Sequence, residues 1–348
     1  MTRNRKLLIV VAVVLAVVVP MRLAGNAAYW DRYAAAMTGV GAQGQVRFNQ
    51  PRLRVAGQTG GVPRATPVSE NVLPAALEQA HQHAIEQNIR ALIVHRHGHR
   101  VYEYFAKGTS GSVEVAGGEL AALPFALAVG VLADNGRVPF ETALQAVHAV
   151  APVGDWRNPW SHAARERFSL HAAPPLLLQD ADGDVANTIS QRVWQPLGAA
   201  DAWLWGRDDG ALRVDCCMVA RVDDWMRLAD LLLNQGTYEG ARIASPDWMR
   251  RLLAVDTDRH AHPVWLAAQA PWVGDEPPAE RDVYWFDLGR DLRIWLAPRR
   301  GVAVLVWAGR DATRARDTLI PNIILRGLND QAPPISGGGI NDLVPGHG

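Results

Sequence analysis

The spacing of apolar and polar residues divides the central part of the chain into strand-like ends and a helical middle. The segment 91–105, ALIVHRHGHRVYEYF, holds two β-rich runs separated by His97-Gly98, which predicts a hairpin. Further strands are predicted over 282–289, 291–298 and 301–309, and helices over 73–87, 222–236, 245–255 and near the C-terminal end. Strands at both ends with helices between them predict one interleaved α/β (α+β) domain, in which helices flank an antiparallel sheet.

The N-terminus carries a separate apolar pattern. Three basic residues within the first six positions precede an unbroken apolar run over 7–19, and Arg22 follows it. This order is typical of a signal peptide or a signal anchor. If the run is extended past Arg22 to 7–25, its length is close to the roughly 17 residues that form the lower limit for crossing a bilayer. Because no small-x-small cleavage site follows, we predict a retained transmembrane helix in the inner membrane, with 1–6 in the cytoplasm and the main domain in the periplasm or outside.

The same patterns give the expected domain organisation. A linker rich in Gly, Gln, Arg and Pro, together with the first helix, covers 26–84. The main domain covers 85–328 and includes a mainly helical cap over 137–255. A Gly- and Pro-rich tail over 329–348 has no apolar periodicity, so it is expected to be disordered.

Composition excludes some classes of function. The chain has 348 residues, zero formal net charge and a pI near 7.2, and no large basic cluster, so nucleic acid is not an expected partner. Cys216 and Cys217 are adjacent, and a bridge between neighbours is strained, so they predict no disulfide framework.

One histidine-rich motif has a spacing that could present several imidazoles to zinc: His95, His97 and His99. In a hairpin with a two-residue turn, however, Arg96 faces His99 and His95 faces Arg100. His95 and His99 then project to opposite faces of the sheet. We therefore interpret the motif as a solvated polar rim of the hairpin.

A second motif, DADGD at 180–184, begins like a calcium loop. Val185 stands where such loops need a flexible glycine, and Gln191 stands where they need a bidentate glutamate. The segment is interpreted as a polar turn, with Asp184 as the N-cap of the next helix. No metal or cofactor is expected.

Five segments together resemble the β-lactamase-related serine hydrolases, which include class C β-lactamases, penicillin-binding-type esterases and 6-aminohexanoate-dimer hydrolases. They occur in the order typical of that family and lie at 91–105, 125–138, 189–204, 229–253 and 291–309. The resemblance covers about residues 85–328. It implies a β-lactamase/transpeptidase-like fold, here with a reduced helical cap because the stretch after Gly136 is short.

The chemistry of that family needs a serine at the start of the buried helix and a lysine one turn later. Anchoring the resemblance on Gly130 and 134–136 places the serine position at Glu119 and the lysine position at Ala122. Neither side chain can perform the family's reaction. The sequence has only two lysines, Lys6 and Lys107, and no Ser-x-x-Lys motif.

The other family positions are also altered. The second motif falls on a window that contains His171 and Ala173, and the closing strand keeps only Gly289 and Arg290. His171 could act as a general base, but beside alanines and prolines we interpret it as structural. No catalytic residue is therefore expected.

An alternative is a rearranged nucleophile. Ser110 and Ser112 lie in a loop before the degenerate helix, where Glu119 could serve as a base if burial raised its pKa. The alternative function is then an active serine hydrolase of amides or esters. The favoured function is a membrane-anchored, exported pseudo-hydrolase with a binding or scaffolding role in the cell envelope. Its expected partners are the membrane, through the N-terminal helix, and a peptide, glycan or acyl chain in a residual cleft lined by tryptophans.

Overall fold

A computed structural model describes residues 3–23, 52–149, 185–205, 218–253, 274–280, 283–288, 291–309 and 312–329. The helices within these ranges are α1 (Arg3–Leu23), α2 (Pro74–Glu86), α3 (Leu123–Asp134), α4 (Phe140–Ala149), α5 (Val185–Ile189), α6 (Val222–Leu233), α7 (Pro246–Leu253) and α8 (Leu319–Arg326). The strands are β1 (Arg52–Val55), β2 (Ala91–Arg96), β3 (His99–Phe105), β4 (Glu114–Ala116), β5 (Ala202–Trp205), β6 (Met218–Arg221), β7 (Thr237–Tyr238), β8 (Ala241–Arg242), β9 (Tyr284–Asp287), β10 (Leu292–Ala297) and β11 (Val302–Trp307).

The larger sheet is antiparallel and joins the two ends of the domain, as the sequence predicts. Its strand order is β3-β2-β11-β10-β9, so an N-terminal hairpin pairs with three C-terminal strands. At the hairpin turn His97 and Gly98 both have positive φ, 49° and 83°, as a two-residue type I′ turn requires. Arg96 pairs with His99 and His95 with Arg100, which confirms the predicted register.

Alternate side chains of this sheet enter two separate hydrophobic cores, because successive strand residues point to opposite faces. On β10, Ile294 belongs to the core that contains α3 and α6, whereas Trp295 belongs to the core shared with α2 and α8. The central strands β10 and β11 are buried along their whole length. Helices cover both faces, so the predicted arrangement of sheet and flanking helices is confirmed.

Helix α3 is the buried element at the centre of the first core. The α-helix begins at Leu123 because Pro124 lacks an N–H and is tolerated only in the first turn. Residues 123–130 are all buried. Gly130 is needed for packing, since a Cβ there would lie 2.2 Å from the indole nitrogen of Trp248. That indole donates to the Ala126 carbonyl at 3.1 Å.

A second, four-stranded sheet has the order β1-β5-β6-β4 and was not predicted. Strand β1 lies within the segment that the sequence assigned to a linker, and it pairs antiparallel with β5. Arg54 on β1 holds Asp201 through two hydrogen bonds of 2.8 and 3.0 Å. The linker interpretation is therefore wrong at 52–55, and the cap region contains strands as well as helices.

Helix α1 is apolar on all sides, and its side chains from Arg5 to Pro20 are exposed. In the described part of the chain, no helix combines the length and the apolar content that crossing a membrane requires. The prediction of a transmembrane helix over 7–25 is thus corrected. The uninterrupted apolar run 7–19 rises only about 20 Å as a helix, whereas the hydrocarbon core of a bilayer is roughly 30 Å thick.

Candidate functional site

Glu119 and Ala122, the positions predicted for the family's serine and lysine, belong to a 3-10 turn, Gly118–Ala122, directly before α3. Strand β4 leads into this turn, and the Gly117 amide continues its pairing with β6 by donating to the Met218 carbonyl at 2.8 Å. A Cβ on Gly117 would lie 2.3 Å from the Trp225 ring, so a glycine is required where the chain passes that indole. The positions predicted for the serine and the lysine therefore lie directly before the buried helix α3.

The turn packs against the closing strand β9 without a gap. Gly118 has a φ of 51°, and a Cβ there would lie 2.2 Å from the Asp287 carbonyl oxygen and 2.6 Å from Leu288 Cα. Two backbone segments are thus in direct contact at the turn where the sequence places the family's nucleophile.

The side chains of the turn provide no group for acyl transfer. Leu120, Ala121 and Ala122 are exposed by 2% or less, and none carries a hydroxyl or an amine. The backbone of Glu119 is part of the same turn. Of the two lysines, Lys107 is exposed in the turn after β3 and Lys6 belongs to α1. Neither belongs to the turn at 118–122.

Comparison with solved structures finds the same architecture. A protein described as a 6-aminohexanoate-dimer hydrolase from Bacillus anthracis superposes with a TM-score of 0.54 at 13% identity, over 85% of this chain and 92% of that one. This chain has the β-lactamase-like fold.

Two further solved structures resemble this chain with lower TM-scores. They are a β-lactamase from Mycobacterium bovis and a penicillin-binding protein homologue from Caulobacter crescentus. The first has a TM-score of 0.49 at 13% identity, over 73% of this chain and 99% of that one. The second has a TM-score of 0.47 at 12% identity, over 72% and 98%. No family model and no curated protein matches the sequence. The predicted resemblance is therefore confirmed at the level of the fold.

The fallback nucleophiles lie elsewhere in the β-lactamase-like fold. The Ser110 and Ser112 hydroxyls hydrogen-bond to each other at 2.9 Å, in the loop before β4. The Gly111 carbonyl between them accepts from the Asp223 amide at 3.0 Å, at the start of α6. In the described part of the chain, no imidazole, lysine or carboxylate accepts a hydrogen bond from either hydroxyl. His171, Ala173, Gly289 and Arg290 lie outside the described residues, as do 180–184 and both cysteines.

A buried polar cluster joins the hairpin to α6. His95 is fully buried, and its Nδ1 lies 2.7 Å from Asp230 Oδ2. Arg100, also buried, donates from Nε to His95 Nε2 at 3.3 Å. Because Nε2 accepts, the ring hydrogen is on Nδ1 and is donated to Asp230. Arg100 also binds Glu103 at 2.7 Å and Asp223 at 2.5 Å.

This cluster corrects the solvated-rim interpretation of the histidine motif. His95, Arg96 and Arg100 are buried, and only His97 and His99 are exposed. For His95 and Arg100 the contacts with Asp230, Glu103 and Asp223 explain the difference, since buried polar groups persist when they are paired and hydrogen-bonded. Among the described residues, no three His, Cys, Asp or Glu side chains form a group able to hold a metal ion.

The sequence also carries a signal for the buried polar cluster. Asp224, Arg227 and Asp230 recur every three residues along α6, although this helix is apolar at its other positions except Asp223 and is almost entirely buried. A charged residue at each turn of a buried helix indicates buried partners, and His95 within an apolar strand is the matching signal on the sheet.

Asp224 is a buried carboxyl of α6 with a raised pKa. Burial raises its pKa to about 6, opposed by a hydrogen bond from the Ala200 amide and by Arg227 and Arg221. Its Oδ2 is buried without a partner in the described structure. Nearby, burial raises the pKa of Tyr238 to about 12, and this phenol accepts from Arg227 Nη1 at 3.3 Å.

The wild-type protein should lose stability relative to Asp224→Asn as the pH rises from about 4 to about 6. The folded state keeps the Asp224 proton up to a pH near 6, whereas an unfolded aspartate releases it near its ordinary value of 3.8. The folded state therefore binds more protons in this window, and stability falls with pH by roughly 2–3 kcal/mol. Urea unfolding of both proteins at half-unit pH steps measures this difference.

Asp201→Asn is the matched control. Arg54 and the Gly57 amide hold the pKa of the half-exposed Asp201 below its ordinary value, so wild type should gain stability over this variant as the pH rises through 4. If the difference in stability between wild type and Asp224→Asn does not change with pH, burial does not raise the pKa of Asp224.

A groove of about 600 Å³ lies between the hairpin turn and the β7–β8 turn, and His97, His99 and Arg242 are among its lining residues. No tryptophan lines this groove. The expected tryptophan-lined cleft is therefore not found here.

Proposed function

We propose that this protein is a non-catalytic binding or scaffolding protein with a β-lactamase-like fold. The observation that carries the proposal is the turn Gly118–Ala122, where the family's serine and lysine positions are Glu119 and Ala122. The turn lacks a nucleophilic hydroxyl and an amine, and its backbone contacts β9 directly. A carboxylate cannot replace an acyl-accepting serine, and alanine has no proton-accepting group.

We expect no covalent adduct when the purified protein is incubated with a fluorophosphonate and with a fluorescent penicillin. Intact-mass spectrometry measures the result, and a catalytically active serine hydrolase of the same fold serves as the positive control. A stoichiometric adduct that disappears in Ser110→Ala or Ser112→Ala would instead establish the rearranged nucleophile. An adduct on any other residue would also overturn the proposal.

The proposed role also includes export to the cell envelope, where the ligand would be a peptide, a glycan or an acyl chain. Support comes from helix α1, in which three basic residues precede an exposed apolar run, an arrangement typical of export signals. Cell fractionation combined with intact-mass analysis tests this proposal. Recovery of the domain from the envelope supports export, and the mass shows whether α1 is retained. Recovery only from the cytoplasm overturns export.

A further inference from the structure

A small charged cavity lies at the start of α6, at the other end of β4 from the degenerate turn at Gly118–Ala122. Its volume is about 230 Å³, and its charged lining consists of Arg64, Arg100, Arg221, Arg227, Asp223 and Asp224. Pockets for drug-sized ligands measure roughly 300–1,000 Å³, so this cavity suits a smaller ligand. Four arginines against two carboxylates make its wall positive.

Two of these arginines are fixed parts of the protein interior. Arg100 is 3% exposed and uses its donors on His95, Glu103 and Asp223. Arg227 is 4% exposed; its Nη2 donates to the Gly60 carbonyl at 2.7 Å and its Nε lies 3.4 Å from Asp224. These contacts hold both guanidinium groups rigidly, so they supply positive charge that does not need to be ordered when a ligand binds.

The other two arginines have donors available. Arg64 is 61% exposed and bonds through Nη2 to Glu103 at 2.6 Å. Within the described structure, Arg221 has no hydrogen bond or ion pair through its side chain. Its charge is nevertheless close enough to contribute to the lowered pKa of Asp201 and to oppose the rise in the pKa of Asp224. Arg221 is only partly exposed and lines the cavity. A guanidinium with unused donors at a positive, partly enclosed cavity is suited to an oxyanion.

The charge balance favours an anion over a cation. Glu103 lies outside the lining and pairs with Arg64 and Arg100. When Glu103 is counted, four arginines face three carboxylates, so the net charge around the cavity is still positive. Asp223 is already engaged by Arg100, and Oδ1 of Asp224 by the Ala200 amide and Arg227. Oδ2 of Asp224 has no partner in the described structure, but this atom is itself buried. A cation would have to displace these arginines, whereas an anion would use donors that are free.

We propose that this cavity binds a small oxyanion, either a carboxylate or a phosphate-like group, through the guanidinium of Arg221, with Arg64 and Arg227 completing the positive wall. The bound group can be a free ion or the anionic end of a larger molecule. The inference does not depend on whether the protein is an active hydrolase, because the cavity involves none of the family's catalytic positions.

Isothermal titration at low ionic strength tests the site, with sodium sulfate as the probe for tetrahedral oxyanions and sodium acetate as the probe for carboxylates. We expect saturable binding with one site per chain for at least one probe. Arg221→Ala should weaken it at least tenfold, and Arg221→Lys should restore part of the loss, since the charge returns without the planar donor group. Low salt is needed because exposed charges are screened at higher ionic strength.

Arg251→Ala is the matched control, because Arg251 is an exposed arginine on α7 outside the cavity. This variant should bind like wild type. Stronger binding of sulfate than of acetate would identify a phosphate-like ligand, and the reverse order would identify a carboxylate. The proposal is overturned if neither probe binds saturably to wild type, or if Arg221→Ala binds as tightly as Arg251→Ala.

Discussion

His95→Ala should lower the free energy of unfolding by about 3–5 kcal/mol, because it removes the hydrogen-bond donor of the buried Asp230 carboxyl group and leaves that group uncompensated. Asp230 is 1% exposed, and its Oδ1 already has no partner in the described structure. Without the imidazole, Oδ2 also loses its donor and Arg100 loses an acceptor. Urea denaturation followed by tryptophan fluorescence measures the change.

A second substitution separates this effect from a simple loss of packing. In His95→Ala/Asp230→Asn the buried charge is gone, so the double variant should be more stable than His95→Ala alone by about 1–3 kcal/mol. His99→Ala, on the same hairpin but 45% exposed, should change stability by no more than about 0.5 kcal/mol. If the double variant is less stable than the single one, the charge is not the cause.

Gly118→Ala should destabilise the protein by about 2–5 kcal/mol. Part of the cost is the left-handed backbone at φ 51°, which costs an L-residue roughly 1–2 kcal/mol. The rest arises because the new Cβ would lie 2.2 Å from the Asp287 carbonyl, a backbone atom that cannot rotate away. The same denaturation experiment measures the total.

Gly136→Ala isolates the backbone part of that cost. Gly136 has a φ of 68°, and a Cβ there meets nothing within 4 Å, so about 1–2 kcal/mol is expected. The excess of Gly118→Ala over Gly136→Ala then measures how tightly the turn packs on β9. Equal costs for the two variants would show that a side chain fits between the turn and the strand, which would weaken the argument against catalysis.

Local pattern was sufficient to predict the larger sheet. The run from 91 to 105 has an apolar strand, a His97-Gly98 turn and a second strand, and the turn geometry fixes the two residue pairs next to it. Beyond them the register shifts by one residue, so that Val94 pairs with Tyr102, and the turn does not predict this irregularity. The buried helix α3 and the three C-terminal strands were equally predictable, because they are apolar runs bounded by turn residues.

The four-stranded sheet could not be predicted from local pattern in the same way. Strands β1 and β4 have only four and three residues, and each is stabilised by a partner far along the chain, such as Ala202–Trp205 for β1. Short strands carry little periodic signal of their own, since their stability comes from pairing.

The surroundings of the candidate site could not be predicted from the sequence. The missing serine and lysine follow from the sequence alone. The burial of His95 and Arg100 does not, because a polar residue near a turn is usually solvated. Only the position of α6 beneath the sheet provides Asp230 and Asp223 as partners.

The close packing around Ala122 has an evolutionary consequence. Restoring the serine and the lysine at 119 and 122 would place an ammonium group at a position that is now 2% exposed, beside a turn whose backbone touches β9. We expect such a double substitution to fold poorly, because burying an unpaired charge is costly. Under the proposed function, single substitutions are enough to abolish catalysis at this turn, whereas its recovery requires several changes at once.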